Sequence, residues 1–172
     1  MNQLIGELLT LSRLEAGSVG TAVPVDMGEL LLALVEDARF DGMGMNVAID
    51  YAPGRMAQVL ADGEMLHRAI ENIVRNALRY APPGSSVRIE AGADESSRFR
   101  IAVQDSGPGV NESELAAIFT PFYRGQGEKR GDGYGLGLAI ASQIVCMANG
   151  VIGAKNIENT GLLVFVDLPV CD

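Results

Sequence analysis

The chain has 172 residues, 48% of them hydrophobic, and 22 acidic against 13 basic side chains give it a formal net charge of −9. That length and composition suffice for one globular domain with its own core. So acidic a chain argues against non-specific binding to nucleic acid or to anionic membranes, because both need a basic surface.

The cysteines and the apolar runs indicate the compartment. Cys146 and Cys171 are the only two cysteines, and their spacing fits neither a disulfide framework nor a zinc site, which favours a reducing environment. No apolar run reaches the length of a membrane span, and the N-terminus lacks the layout of a signal peptide. We therefore expect this chain to be soluble.

The first 16 residues predict a helix. They are strong helix formers, and Leu4, Leu8 and Leu11 lie on one stripe before Gly17 ends the pattern. A helix this short is marginal alone, so the leucine stripe must pack on something. A second copy of the chain and the chain's own domain are both compatible with the pattern.

A short edge strand and a helix follow. Residues 21–25 predict the edge strand, because Pro24 cannot donate to a central ladder. Asp26 is expected to cap the helix, with Glu29 completing a capping box, and the helix should end at about Phe40, before a glycine-rich break. Residues 46–50 and 57–61 then predict two strands around a Pro-Gly turn.

The most informative stretch is the helix predicted between the cap Asp62 and the Pro82-Pro83-Gly84 terminator. Helical spacing gives it two stripes on different faces. One is apolar, and the other offers a metal-ligand oxygen, a cation and an aromatic ring, a combination that favours a nucleotide. The apolar stripe is Leu66, Ile70, Ile73 and Ala77; the polar stripe is Asn72, Asn76, Arg79 and Tyr80.

The second half of the chain predicts a sheet with two further helices. The elements are a hairpin at 86–91 and 98–105, a short helix at 112–118, a glycine-rich loop at 125–135, a helix at 136–149 and a hairpin at 151–156 and 162–168. Together with the first half they predict an α/β (α+β) fold. We expect a two-layer sandwich, with a mixed, mostly antiparallel sheet and helices on one face.

Several polar and glycine-bearing segments can be explained by one ligand. Asp105 follows a strand in a glycine turn and could accept a hydrogen bond from an exocyclic amine such as adenine N6. Tyr80 could stack on the same base, and Asn76 could give an oxygen to Mg²⁺. Residues 133–138 open a helix whose N-terminus favours anions, with Lys129 and Arg130 just before it.

These segments occur in a familiar order. Residues 72–80, 105–109, 119–124 and 133–137 resemble the N, G1, F and G2 boxes of sensor histidine kinases. The resemblance covers residues 21–169 and implies their catalytic domain, which has the Bergerat-type ATP-binding fold. Residues 1–17 resemble the end of the second dimerisation helix, and two of the boxes look most like those of envelope-stress sensor kinases.

The resemblance implies a role for each matching residue. Asn72 and Asn76 look like the two N-box asparagines, with Asn76 as the Mg²⁺ ligand, Arg79 as a phosphate contact, Tyr80 as the adenine-stacking ring and Asp105 as the N6 acceptor. Asn72, Asn76 and Arg79 are the candidate catalytic residues. The remaining candidate nucleotide contacts are Gly107, Gly109, Val110, Phe122, Lys129, Arg130, Gly133, Tyr134, Gly135, Leu136, Gly137 and Leu138. For Phe119, Phe122 and Tyr123, core and hinge packing is the favoured interpretation.

Two departures from the family bear on activity. Tyr134 stands where Thr or Ser is usual, and the chain has no phosphoacceptor motif. His67, the only histidine, is interpreted as a packed or surface helix residue. The resemblance therefore implies a fragment that binds ATP and Mg²⁺, while the phosphoacceptor histidine lies on a dimerisation domain outside the chain.

The expected partners are that dimerisation domain and a response regulator, within a homodimeric parent in the bacterial inner membrane whose catalytic domain is cytoplasmic. No nucleic acid is expected. Two other functions remain open: a gyrase-like ATPase module, and an anti-sigma serine kinase and binding protein. The amide at Asn72 argues against the first, since the gyrase-like enzymes carry there a glutamate that activates water.

Overall fold

The computed structural model describes residues 2–18, 20–125, 133–158 and 161–171. Its helices are α1 (Asn2–Glu15), α2 (Met27–Met45), α3 (Gly63–Tyr80) and α4 (Gly137–Met147), with two 3-10 helices at Glu112–Glu114 and Ala117–Phe119. Its strands are β1 (Val23–Asp26), β2 (Ala48–Pro53), β3 (Gln58–Ala61), β4 (Ser86–Ala93), β5 (Arg98–Gln104), β6 (Val151–Ile157) and β7 (Gly161–Cys171). Within these ranges, no helix is long and apolar enough to cross a membrane.

The strands form one seven-stranded sheet in the order β1-β3-β7-β5-β4-β2, with β6 also paired to β7. Every pairing is antiparallel except that of β2 with β4. Buried and exposed residues alternate along β4, where Val87 and Ile89 are buried and Arg88 and Glu90 are exposed. The mixed, mostly antiparallel sheet, the β4-β5 and β6-β7 hairpins and the edge position of β1 are therefore confirmed.

The strands on either side of the Pro53-Gly54 turn do not pair with each other. β2 pairs in parallel with β4, whereas β3 pairs with β1 and β7 towards the other edge of the sheet. A parallel pair needs a long crossover connection, and the segment containing α3 supplies it between β2 and β4. Both predicted strands are therefore present, and each pairs with strands other than its neighbour in sequence.

The helix α2 continues past its predicted end at Phe40. It runs to Met45, and the left-handed Asn46 (φ 56°) closes it by donating its backbone N–H to the carbonyls of Gly42 and Met43. A Cβ on Gly42 would lie 2.5 Å from the carbonyl oxygen of Val47, so this glycine lets the chain fold back onto the helix. Gly42 therefore serves close packing, and neither Gly42 nor Gly44 breaks the helix.

The helix α3 lies at the centre of the core. Asp62 caps it by accepting a hydrogen bond from Met65 N at 3.1 Å, as expected for an N-cap. The predicted apolar stripe is buried along its whole length, with Leu66, Ile70, Ile73 and Ala77 between 0% and 4% exposed. This face packs against the core and against α2 and α4, which leaves the polar stripe at the edge of the core.

The helix α1 docks on its own domain, beside α4. Leu11 and Leu14 join the core at 7% and 5% exposed, while Ile5, Leu8 and Leu9 remain 39–54% exposed. The predicted leucine stripe is therefore only partly buried within one chain. Pairing with a second copy through α1 stays a prediction.

Candidate functional site

A cavity of about 560 Å³ is bounded by α3, the loop after β5, the loop before α4 and the first turn of α4. Twelve of the candidate nucleotide-binding residues line it, although they come from separate parts of the sequence. They are Asn72, Asn76, Arg79, Tyr80, Asp105, Gly109, Val110, Gly133, Tyr134, Gly135, Gly137 and Leu138. The structure thus brings most of the four sequence boxes to one cavity.

Five candidate residues do not line the cavity or cannot be placed. Lys129 and Arg130 lie outside the described residues. Leu136 is fully buried just before α4. Gly107 does not line the cavity, and its backbone N–H donates to the Asp105 carboxylate. Phe122 has a side chain 59% exposed, against the packing interpretation, and its backbone N–H donates to the Gly135 carbonyl at 2.9 Å.

Asp105 is the buried acid of the site. Its side chain is 3% exposed, and Oδ1 accepts hydrogen bonds from the backbone N–H groups of Gly107 at 2.8 Å and Leu162 at 3.2 Å. Burial raises the pKa of this carboxyl above its ordinary value of 3.8, and the two N–H donors partly oppose the shift. Since both bonds end on Oδ1, the second oxygen is the acceptor left for a ligand in the cavity.

Two glycines allow this arrangement of Asp105. A Cβ on Gly107 would lie 2.7 Å from the carbonyl oxygen of Tyr80, so the loop passes directly against the end of α3. Gly161 has φ +96°, and a Cβ there would lie 2.4 Å from the carbonyl oxygen of Asp105. Close backbone contact between α3, the loop and β7 therefore fixes the carboxylate beside Tyr80.

The polar stripe of α3 contacts the segment before and at the start of α4. Asn72 donates from Nδ2 to the carbonyl of Gly137 at 3.1 Å. The guanidinium of Arg79 lies so close to Gly133 that a Cβ on this glycine would be 2.7 Å from Nη2. This end of the cavity combines a guanidinium with a helix N-terminus, and both favour a bound anion.

The residue that holds the loop after Asp105 is not among those predicted from the sequence. Asn156 on β6 accepts a hydrogen bond from the backbone N–H of Val110 at 2.9 Å and donates to the carbonyl of Val110 at 2.6 Å and to Glu112 at 3.0 Å. A Cβ on Gly109 would lie 2.6 Å from the same amide. No local sequence pattern indicates that β6 contacts this loop. The contact becomes visible only in the folded structure.

Ten further lining residues were also not predicted, and two of them come from α1. They are Gln3, Glu7, Arg75, Pro108, Asn111, Glu114, Ile118, Tyr123, Gly125 and Leu162. Arg75, Pro108 and Tyr123 stand within the boxes and could have been found from them. Burial raises the pKa of the Tyr123 phenol, and the neighbouring Glu114 carboxylate adds to the effect.

The arrangement suits an elongated ligand with a hydrogen-bond donor on an aromatic part and negative charge elsewhere. The Asp105 carboxylate and the Tyr80 ring serve the first part, and Arg79 with the α4 N-terminus serves the second. No group of three or more His, Cys, Asp or Glu side chains among the described residues could hold a metal ion. A cation at Asn76 would therefore need further oxygens from the ligand or from water.

The similarities to known proteins agree with this geometry. Residues 61–171 match the family model described as "Histidine kinase-, DNA gyrase B-, and HSP90-like ATPase". The histidine-protein kinase/phosphatase MprB of Mycolicibacterium smegmatis is 32% identical over 152 residues, which are 88% of this chain and 30% of MprB. The sensor histidine kinase CpxA of Escherichia coli K12 is 31% identical over 175 residues, covering 99% of this chain and 37% of CpxA.

A solved structure extends the likeness to the fold. Full-length ShkA, crystallised in complex with AMPPNP, superposes with a TM-score of 0.85 at 29% identity, covering 98% of this chain and 35% of ShkA. The chain spans about a third of the length of MprB and of CpxA.

Proposed function

Because the chain belongs to the histidine kinase-, DNA gyrase B- and HSP90-like ATPase family, we propose that it is the ATP-binding catalytic domain of a two-component sensor histidine kinase. The observation that carries the proposal is the buried Asp105 carboxylate, held beside Tyr80 in a cavity that the four boxes share. The names of the relatives support the kinase over the other members of the family.

The base of ATP would lie between Asp105 and Tyr80. Adenine carries its N6 amine as a donor, which matches the carboxylate oxygen that the backbone leaves unbonded. The Tyr80 ring offers stacking worth about 1–3 kcal/mol per base. The Asn156 contacts with Val110 keep the adjoining loop in place for this contact.

The phosphates would extend towards Arg79 and the start of α4. Gly133, Gly135 and Gly137 line the cavity there, so phosphate oxygens can approach the backbone N–H groups. The amide oxygen of Asn76 fits one Mg²⁺ ligand, with the phosphates and water supplying the rest. Mg²⁺ would neutralise charge on the transferring phosphoryl group, and we assign the same role to Lys129 and Arg130.

The chemistry of the site favours transfer of the γ-phosphoryl to a protein. Asn72 donates from its amide to Gly137, and an amide cannot remove a proton from water at neutral pH. His67 lies on α3 in a shallow groove with Asp37, Asp41 and Glu71 and does not line the nucleotide cavity. We therefore place the phosphoacceptor histidine on dimerisation helices outside this chain.

The wider assembly follows from the same proposal. Residues 1–17 would be the end of the dimerisation domain, residues 21–169 the catalytic domain, and a response regulator the final acceptor of the phosphoryl group. The parent would be a homodimer in the bacterial inner membrane, with this domain in the cytoplasm. The sensor kinase names of CpxA and MprB support a response regulator as partner.

The test incubates the chain with Mg-ATP labelled at the γ-phosphate. We expect saturable binding, no label on the chain itself and no steady phosphate release. A longer version, extended at the N-terminus through the proposed phosphoacceptor histidine, should acquire an acid-labile label. Steady phosphate release by the short chain would favour the gyrase-like module, and labelling that disappears in His67→Ala would refute the missing acceptor.

A further inference from the structure

The helix α1 contributes a carboxylate to the wall of the nucleotide cavity. Gln3 and Glu7 both line it, one helical turn apart, and Gln3 Nε2 donates to Glu7 Oε1 at 3.2 Å. Leu11 and Leu14 anchor the same helix in the core. Glu7 is therefore held at the cavity by the docking of α1 and is not a freely solvated surface residue.

The docked α1 places Glu7 in the same cavity as the N-terminus of α4. The helix packs against α4, whose first residues Gly137 and Leu138 line the same space. None of the ion pairs among the described residues includes Glu7, and the lining cation Arg75 is paired with Glu71 at 3.0 Å. A negative charge is thus present in the wall of the cavity that would hold the phosphates of a nucleotide.

We propose that, while α1 is docked on α4, the carboxylate of Glu7 weakens nucleotide binding, and that it does so more for nucleotides with more negative charge. This inference rests on the proposed binding of an adenine nucleotide in the cavity. The carboxylate repels phosphate oxygens, so it weakens the triphosphate more than the diphosphate and leaves an uncharged nucleoside unaffected. Movement of α1 away from α4 would remove the repulsion, which makes the docked helix an inhibitory contact on ATP binding.

The experiment measures the affinity of the full chain for AMPPNP, ADP and adenosine by calorimetry, in EDTA at low ionic strength. Glu7→Gln keeps the shape of the side chain and removes its charge. Glu15→Gln makes the same change at an exposed position of α1 that does not line the cavity. Glu7→Lys reverses the charge and extends the test of how AMPPNP affinity depends on the charge at this position.

We expect Glu7→Gln to bind AMPPNP about three- to tenfold more tightly, ADP less so and adenosine as in the wild type, with the gain shrinking at high salt. Glu7→Lys should increase the gain, and Glu15→Gln should show none. An equal effect on all three ligands, or the same effect in Glu15→Gln, would overturn the inference.

Two further outcomes are decisive. If Glu7→Gln weakens AMPPNP binding in a parallel titration with Mg²⁺ in place of EDTA, Glu7 is a metal ligand and the repulsion model is wrong. If adenosine binds but Glu7→Gln has the same affinity for AMPPNP as the wild type, this inference is refuted and the proposed function is not. Absence of adenosine binding in every variant refutes the proposed function as well.

Discussion

Replacing Asp105 by Asn should separate nucleotide binding from stability. The amide oxygen can still accept the N–H groups of Gly107 and Leu162, which are 2.8 and 3.2 Å from Oδ1. The amide NH₂ then replaces the free carboxylate oxygen and presents a donor to the adenine N6 donor. A hydrogen bond to a charged group contributes about 1.5–3 kcal/mol, so we expect AMPPNP affinity to fall about 10- to 150-fold.

The stability of Asp105→Asn should move in the other direction. The folded pKa of Asp105 lies above 3.8 because burial disfavours the charge. The wild type therefore loses stability as pH rises from 3.8 through the folded pKa. Asp105→Asn removes that penalty, so its free energy of unfolding at pH 7 should equal or exceed that of the wild type.

Calorimetric titration with AMPPNP and urea unfolding monitored by circular dichroism measure the two quantities. Asp50→Asn is the matched control, because Asp50 is exposed on the edge strand β2, away from the cavity. It should bind AMPPNP like the wild type. Unchanged affinity in Asp105→Asn, or a clear loss of stability, would refute the role given to this carboxylate.

Three further outcomes follow from the structure. The wild type should bind adenosine more weakly as pH falls through the raised pKa of Asp105, and a calorimetric pH series on Asp105→Asn should lack that step. Gly161→Ala should lose at least about 1–3 kcal/mol of unfolding free energy, because of its backbone strain and its contact with Asp105. Urea titration should show a smaller loss for Gly84→Ala, whose Cβ meets open space. Asn156→Ala should lower adenosine affinity, and it should lower the free energy of unfolding by about 1–3 kcal/mol. Unchanged adenosine affinity would show that the loop keeps its conformation without Asn156.

Local patterns in the sequence predict the centre of the molecule well. The period of α3 and its Asp62 cap depend on residues within a few positions of each other, and the buried stripe appears as expected. Asp105 was found for a related reason, since a strand ending in a glycine turn can be recognised without knowing its neighbours. The hairpin of β4 and β5 likewise joins adjacent segments.

Contacts between distant segments could not be read in the same way. The parallel pairing of β2 with β4 depends on the crossover through α3, and Gly42 lies against the Val47 carbonyl, where a Cβ would clash. Asn156 contacts Val110 across 46 positions. The carboxylate of Glu7 reaches the cavity only because α1 docks on α4. Each of these features depends on tertiary packing that no sequence window contains.

Selectivity between adenine and guanine is the sharpest test of the proposed nucleotide site. The Asp105 acceptor suits adenine, and guanine carries an O6 acceptor where adenine carries its N6 donor. A calorimetric titration of the wild-type chain should therefore show saturable one-to-one binding of AMPPNP and much weaker binding of the corresponding guanine analogue. Equal affinities for the two, or no binding of either, would contradict the assignment of this cavity to ATP.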